Sequence, residues 1–193
     1  MRTMFNTPIV CHLLKVISIV TLKLTGWKIQ GQFPSDLNKA VIIAAPHTSN
    51  WDMPISLMMA FKLGLPIRWL GKKSIFKFPF GPLMRWMGGI PVERSRSTNM
   101  VDNVVRRFEA DDQLLIMMSP EGTRSKVKGW KSGFYHMASG ASVPIVLAFI
   151  DYPNKVGGIG PLFEPTGEYE SDLSEIQAFY EQFRGKDDQS AIS

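Results

Sequence analysis

Apolar residues along this chain come in short, closely spaced runs rather than in one long stretch. Ala40 to Ala45 and Gln113 to Met118 are nearly continuous apolar runs of strand length, the pattern of strands buried on both faces. Ile67 to Leu70, Ile90 to Val92 and Pro144 to Ile150 read the same way. Trp27, Ile29, Gly31 and Phe33 alternate as a half-buried strand does. Helical segments fall between these runs: about Pro54 to Leu63, closed by Gly64; Phe80 to Met87, ended by Gly88 and Gly89; and about Ser132 to Ser139. Another runs from about Asn99 to Glu109, with Ser97 or Thr98 as cap. A polar loop with glycines spans Ser119 to Trp130, and a last acidic helix lies near Ser171 to Phe183. Strands alternating with helices predict an α/β fold with a mixed, largely parallel sheet flanked by helices.

The first segment behaves differently. Ile9 to Leu24 is rich in Ile, Val and Leu, but Lys15 and Lys23 interrupt it. A signal peptide carries its charge ahead of the apolar core, and a spanning helix needs ~20 apolar residues with few charges. On a helix, His12, Lys15, Ser18 and Lys23 share one polar arc. Two readings stand: a helix lying in a membrane interface with its lysines near the headgroups, or an amphipathic helix packed on its own domain. Three regions follow, at 1–26 (an N-terminal amphipathic, membrane-associating segment), 27–183 (the α/β domain) and 184–193 (a polar tail expected to be loose).

A length of 193 residues suits one domain. With 45% hydrophobic and 20% charged residues the chain is neither disordered nor a coiled coil. Cys11 is the only cysteine, which excludes an internal disulfide or a cysteine-cluster metal site and makes a cytoplasmic setting the expectation. Charge is unevenly spread. Between Lys62 and Arg107 ten basic residues face only Glu93 and Asp102, whereas from Glu164 onward eight acids face only Arg184 and Lys186. An anionic partner belongs against the middle of the chain, although a basic stretch alone also reads as a solvated face.

Chemistry concentrates just after the buried strands. His47 follows the Ala40 to Ala45 run, and Asp52 lies five residues on, where Pro54 requires a helix to begin. Ligands in open α/β sheets sit beyond the carboxyl ends of strands. The turn lets the two side chains meet. A carboxylate on one imidazole nitrogen fixes the tautomer and leaves the other able to take a proton from an alcohol. Taken alone, the pair reads slightly better as a helix-capping cluster with a surface histidine. Ser119-Pro120-Glu121-Gly122-Thr123-Arg124-Ser125 follows the next buried strand, with a turn glycine, a hydroxyl and a guanidinium suited to phosphate. Lys126, Lys128 and Lys131 come after it. Gly88 to Ser95 places Arg94 at the end of a short strand, and Ser142 to Val146 reads as the start of a core strand.

In this order the four blocks resemble those of the 1-acylglycerol-3-phosphate acyltransferases and related glycerolipid acyltransferases. Pro46-His47 through Asp52 is similar to that family's Asn-His-x4-Asp, Gly88 to Arg94 to its Gly-x-x-Phe-Ile-x-Arg, Ser119 to Arg124 to its Phe-Pro-Glu-Gly-Thr-Arg, and Val143 to Val146 to its Val-Pro-Ile-Val. Trp130 to Phe134 also resembles the family's Phe-Lys-x-Gly stretch. The likeness covers about residues 40–150, with Pro46, Pro91 and Ser119 departing from the pattern. It implies His47 as general base and Asp52 as its orienter. It implies Arg94, Glu121, Gly122, Thr123 and Arg124 as holders of an acceptor phosphate, with Lys72, Lys73 and Lys131 as candidate supporting cations. The acceptor would be a lysophospholipid, 1-acylglycerol-3-phosphate first among them. The donor would be an acyl-CoA or acyl carrier protein thioester acting as co-substrate, with no metal, no other cofactor and no acyl-enzyme. The expected setting is the cytoplasmic face of a membrane, with lipid bilayer, lysophospholipid and acyl carrier protein as partners. A non-catalytic module binding anionic lipid is the rival from another class, since it would use the basic stretch without needing His47 beside Asp52. Nucleic-acid binding lacks a helix-turn-helix, zinc or RNA-binding signature. A fatty acyl hydrolase is a third reading, against which the chain has no Gly-x-Ser-x-Gly elbow.

Overall fold

The structure, a computed structural model, describes residues 2–93, 97–124 and 129–186, the side chains of 97–99 excepted. Among the described residues seven strands form one sheet: β1 (Lys28–Gln30), β2 (Lys39–Ala45), β3 (Ile67–Lys72), β4 (Gly89–Val92), β5 (Leu114–Met118), β6 (Ile145–Asp151) and β7 (Val156–Phe163). Their order across the sheet is β1-β7-β6-β2-β5-β3-β4. Every pairing is parallel except β6 with β7. The helices are α1 (Pro8–Leu24), α2 (Asp52–Leu63), α3 (Gly81–Trp86), α4 (Ser97–Ala110), α5 (Gly133–Ala141) and α6 (Tyr169–Tyr180). This is the expected mixed, largely parallel architecture.

Strand β2 shows why its run is apolar throughout. Ala40 and Ile42 face one core, packed with Leu57 and Phe61 of α2. Val41, Ile43 and Ala45 face the other, with Val104 and Phe108 of α4, Phe134 and Met137 of α5, and Ile176 and Tyr180 of α6. Both faces are covered, so neither can carry polar side chains. Helix α2 stops where expected, at Gly64, whose φ of 73° is left-handed. The expected cap of α4, Ser97 or Thr98, falls on side chains outside the described residues.

Two expectations change. Strand β7 adds an element where no strand was expected, in a stretch whose glycines weaken a strand, Val-Gly-Gly-Ile-Gly-Pro-Leu-Phe. Its glycines are instead where neighbours press in. A Cβ on Gly160 would sit 2.3 Å from the Phe179 ring, and one on Gly157 2.6 Å from Met59. The polar arc of α1 also differs. Ser18 is buried together with Leu22, on a stripe with Cys11 and Leu14 that packs onto Phe61, Ile55 and Met59 of α2. Serine fits there because a small side chain lets two helices approach. Outside that stripe Ile9, Leu13, Val16, Ile17, Val20 and Leu24 remain exposed beside His12, Lys15 and Lys23. The helix is thus docked on its own domain by one narrow face and apolar on another. No helix among the described residues is long and apolar enough to cross a membrane.

Candidate active site

Strands β2 and β5 are parallel neighbours, with Ile43 opposite Met118. The loops leaving their carboxyl ends therefore start side by side, one carrying His47 and the other Glu121. His47 Nδ1 lies 3.0 Å from Asp52 Oδ2. That oxygen also accepts the Thr48 and Ser49 backbone N–H groups, each at 2.8 Å, while Oδ1 accepts the Tyr152 hydroxyl at 2.5 Å. Asp52 opens α2 but turns back onto the loop before it, so the carboxylate builds the turn that presents the histidine. Burial alone would raise the Asp52 carboxyl. Hydrogen bonds from His47, Tyr152 and the Ser49 backbone, with the His47 charge, outweigh it and hold the group below its ordinary value. A proton on Nδ1 facing this carboxylate leaves Nε2 as the acceptor nitrogen.

Glu121 sits differently from the rest of its block. Its carboxylate is 5% exposed and accepts the His47 backbone N–H at 3.0 and 3.2 Å. It therefore braces the histidine's main chain, whereas Gly122, Thr123 and Arg124 line a groove of about 1220 Å³ that also contains His47 and Asp52. Gly122 has a φ of 68°, and a Cβ there would lie 3.0 Å from Lys131 Nζ, so the lysine stretches across the bare glycine. Lys131 N–H donates to Pro120 O at 2.9 Å, tying the two segments. Lys131 and Lys72 line the groove and Lys73 does not. Arg94, Lys126 and Lys128 lie outside the described residues.

Burial pushes Glu121 up to about 8, with the Asp52 charge adding to the rise and the His47 backbone bond opposing it. The folded protein therefore keeps a proton that the unfolded chain gives up above an ordinary carboxyl value. The unfolded state binds fewer protons over that interval, so Glu121 makes stability fall as pH rises from about 4.5 towards about 8 and level off beyond it. Each unit of difference is worth about 1.4 kcal/mol. Glu121→Gln should remove this slope, and urea unfolding at both ends of the interval measures it. A variant that retains the wild-type slope would assign it to another group.

Sequence reasoning missed Tyr152 and the C-terminal segment. Tyr152 occupies the turn between β6 and β7, its ring 5.2 Å from Trp27. It reaches Asp52 because β6 neighbours β2, a pairing no local pattern shows. The Lys186 N–H donates to Thr48 Oγ1 at 3.0 Å, and a Cβ on Gly185 would come within 2.3 Å of that oxygen. Lys186 Nζ lies 5.9 Å from the Trp51 ring centroid. The start of the tail expected to be loose is thus fastened to the loop that carries His47.

The apolar wall of the groove includes Trp69 and Leu70 with Met84, Met87, Met117 and Met118, four flexible thioethers that adapt to an irregular apolar ligand. The sequence model of the Acyltransferase family matches residues 26–150, from the segment before β1 to the end of β6. The chain belongs to that family. It is 33% identical over 133 residues to the 1-acyl-sn-glycerol-3-phosphate acyltransferase of Haemophilus influenzae, covering 64% of this chain and 53% of that protein. The protein of the same name from Escherichia coli is 32% identical over 132 residues, covering 64% and 52%. This acyltransferase chain thus spans about half the length of the curated relatives it matches. The crystal structure of the 1-acyl-sn-glycerophosphate acyltransferase of Thermotoga maritima superposes with a TM-score of 0.63 at 15% identity, over 88% of this chain and 76% of that one, and shares the fold.

Proposed function

We propose that this acyltransferase moves a fatty acyl group from an acyl-CoA or acyl carrier protein thioester to the free hydroxyl of a lysophospholipid, 1-acylglycerol-3-phosphate first. The His47–Asp52 bond in an apolar groove carries the reading. His47 Nε2 takes the hydroxyl proton as the oxygen attacks the thioester carbonyl, the carbon–sulfur bond breaks, and the proton passes to the departing thiolate. Asp52 holds the ring and stabilises the imidazolium formed in between. Arg124 and Lys131, which line the groove with Gly122, supply the cations that a phosphate monoester needs. The apolar outer face of α1 suits residence at the bilayer that holds such acceptors.

Purified protein given acyl-CoA and a panel of lysophospholipids, with products identified by mass, tests the reading. No acylated product from any acceptor would refute it. Arg124→Ala should weaken use of the phosphate monoester by about 2–5 kcal/mol in kcat/KM, the usual cost of truncating one member of a desolvated charge contact. An acceptor without the phosphate should lose much less. Equal losses on both would make Arg124 structural.

A further inference from the structure

We propose that the turn from Lys73 to Leu83 is a second membrane-contacting element, which sets Phe78 and Phe80 into an anionic lipid surface beside the mouth of the groove. Phe78 is 92% and Phe80 65% exposed, with Leu83 and Ile75 also open to solvent. Isolated exposed apolar residues are ordinary, but two phenylalanines two positions apart at one tip are not.

The tip is built rather than slack. Phe76 is buried against Trp69, with ring centroids 5.7 Å apart. The Arg85 guanidinium lies 5.4 Å from the Phe76 ring and donates to Phe76 O at 3.4 Å. Gly81 N–H donates to Lys77 O at 2.8 Å, and Met84 N–H to Phe80 O at 3.0 Å. A Cβ on Gly81 would stand 2.0 Å from Phe76 O, so the turn closes only with glycine there. These bonds hold the two rings outward, where folding gains nothing from them.

Charge selects the occupant. Lys72, Lys73 and Lys77 are exposed around the tip, and no acidic residue occurs from Lys62 to Val92. A second copy meeting this face about a two-fold axis would bring like charges together. An anionic bilayer pairs with the lysines and takes up the rings. Lys72, Ile75 and Met84 line the same groove as His47, so a lipid leaving the bilayer at this tip reaches the chemistry directly. That last step rests on the acyl-transfer reading, whereas the lipid contact does not.

The test is partition of the full chain onto phosphatidylcholine vesicles with and without phosphatidylglycerol. Phe78→Ser with Phe80→Ser should lower the partition coefficient at least about ten-fold on the mixed vesicles. Lys77→Glu should lower it about five- to ten-fold on the mixed vesicles only, and added salt should erase that difference. Leu13→Ser with Val20→Ser on α1 should add to the phenylalanine effect. Transfer to a short-chain, water-soluble acceptor should stay at the wild-type rate in the Phe78/Phe80 variant. Unchanged partition of that variant would overturn the proposal. So would a wild-type dimer that the same substitutions dissociate while partition holds, because the face would then belong to a second copy. A wild-type chain that binds vesicles through this tip yet acylates nothing would sink the functional reading and leave the lipid contact standing.

Discussion

Replacing His47 with alanine should lower kcat by roughly 10²–10⁴-fold, the usual worth of a positioned general base. KM for either substrate should change little, because the ring's task is to move a proton and not to hold the lipid. The fold should survive. The side chain is 31% exposed and makes one hydrogen bond, and the backbone bond to Glu121 remains. Steady-state kinetics beside a thermal melt settles the matter: a folded variant with near-normal turnover removes His47 from the mechanism.

Asp52→Asn should behave otherwise, damaging turnover and stability together. The carboxylate serves four donors, His47 Nδ1, the Thr48 and Ser49 backbone N–H groups and the Tyr152 hydroxyl. An amide keeps one oxygen and turns an NH2 group towards donors that need an acceptor. With the residue 4% exposed, the mismatch should cost on the order of 3 kcal/mol. Turnover should fall about as far as in the His47 variant, since the imidazolium loses its counter-charge. The wild-type contribution has a definite pH sign. Asp52 titrates below its ordinary value, so its stabilisation is fully present above that ordinary value and is lost as acidification proceeds below it, through the lower value of the folded state. Urea unfolding near neutral pH measures the loss, and a variant as stable as wild type would show that the carboxylate does not build the loop.

Residues legible in the sequence share one property: their signal is local. The buried runs at β2 and β5 are bounded by polar loops, and both loops carry chemistry at their first turn. His47 and Asp52 could be paired because Pro54 forces a helix start between fixed limits. What escaped depends on partners distant in the chain. The glycines of β7 look like loop residues until Gln30, Met59 and Phe179 are seen pressing on them. Ser18 looks like a polar-arc residue until α2 lies against it. Glu121 looks like a phosphate holder because its neighbours do, yet the chain crossing from β2 presents an N–H to it. Composition carries no trace of which strand sits beside which, and Tyr152 and Lys186 reach the His47 loop only through that order.

The fastening of that loop dictates when in synthesis the site can exist. Residues 47–52 are held by Glu121, then Tyr152, and last by Lys186. Tyr180, with its hydroxyl 3.0 Å from both Ile43 O and Ala148 O, clips β2 to β6 in the same late stretch. A ribosome extends a chain by about 5–20 residues per second. For the roughly 7–27 s that separate Asp52 from Lys186 at that rate, the nascent polypeptide carries His47 and Asp52 without all the contacts that align them. The first helix, with its apolar outer face, has by then long left the exit tunnel, and the loop gains its last described contact only when the segment carrying Lys186 docks.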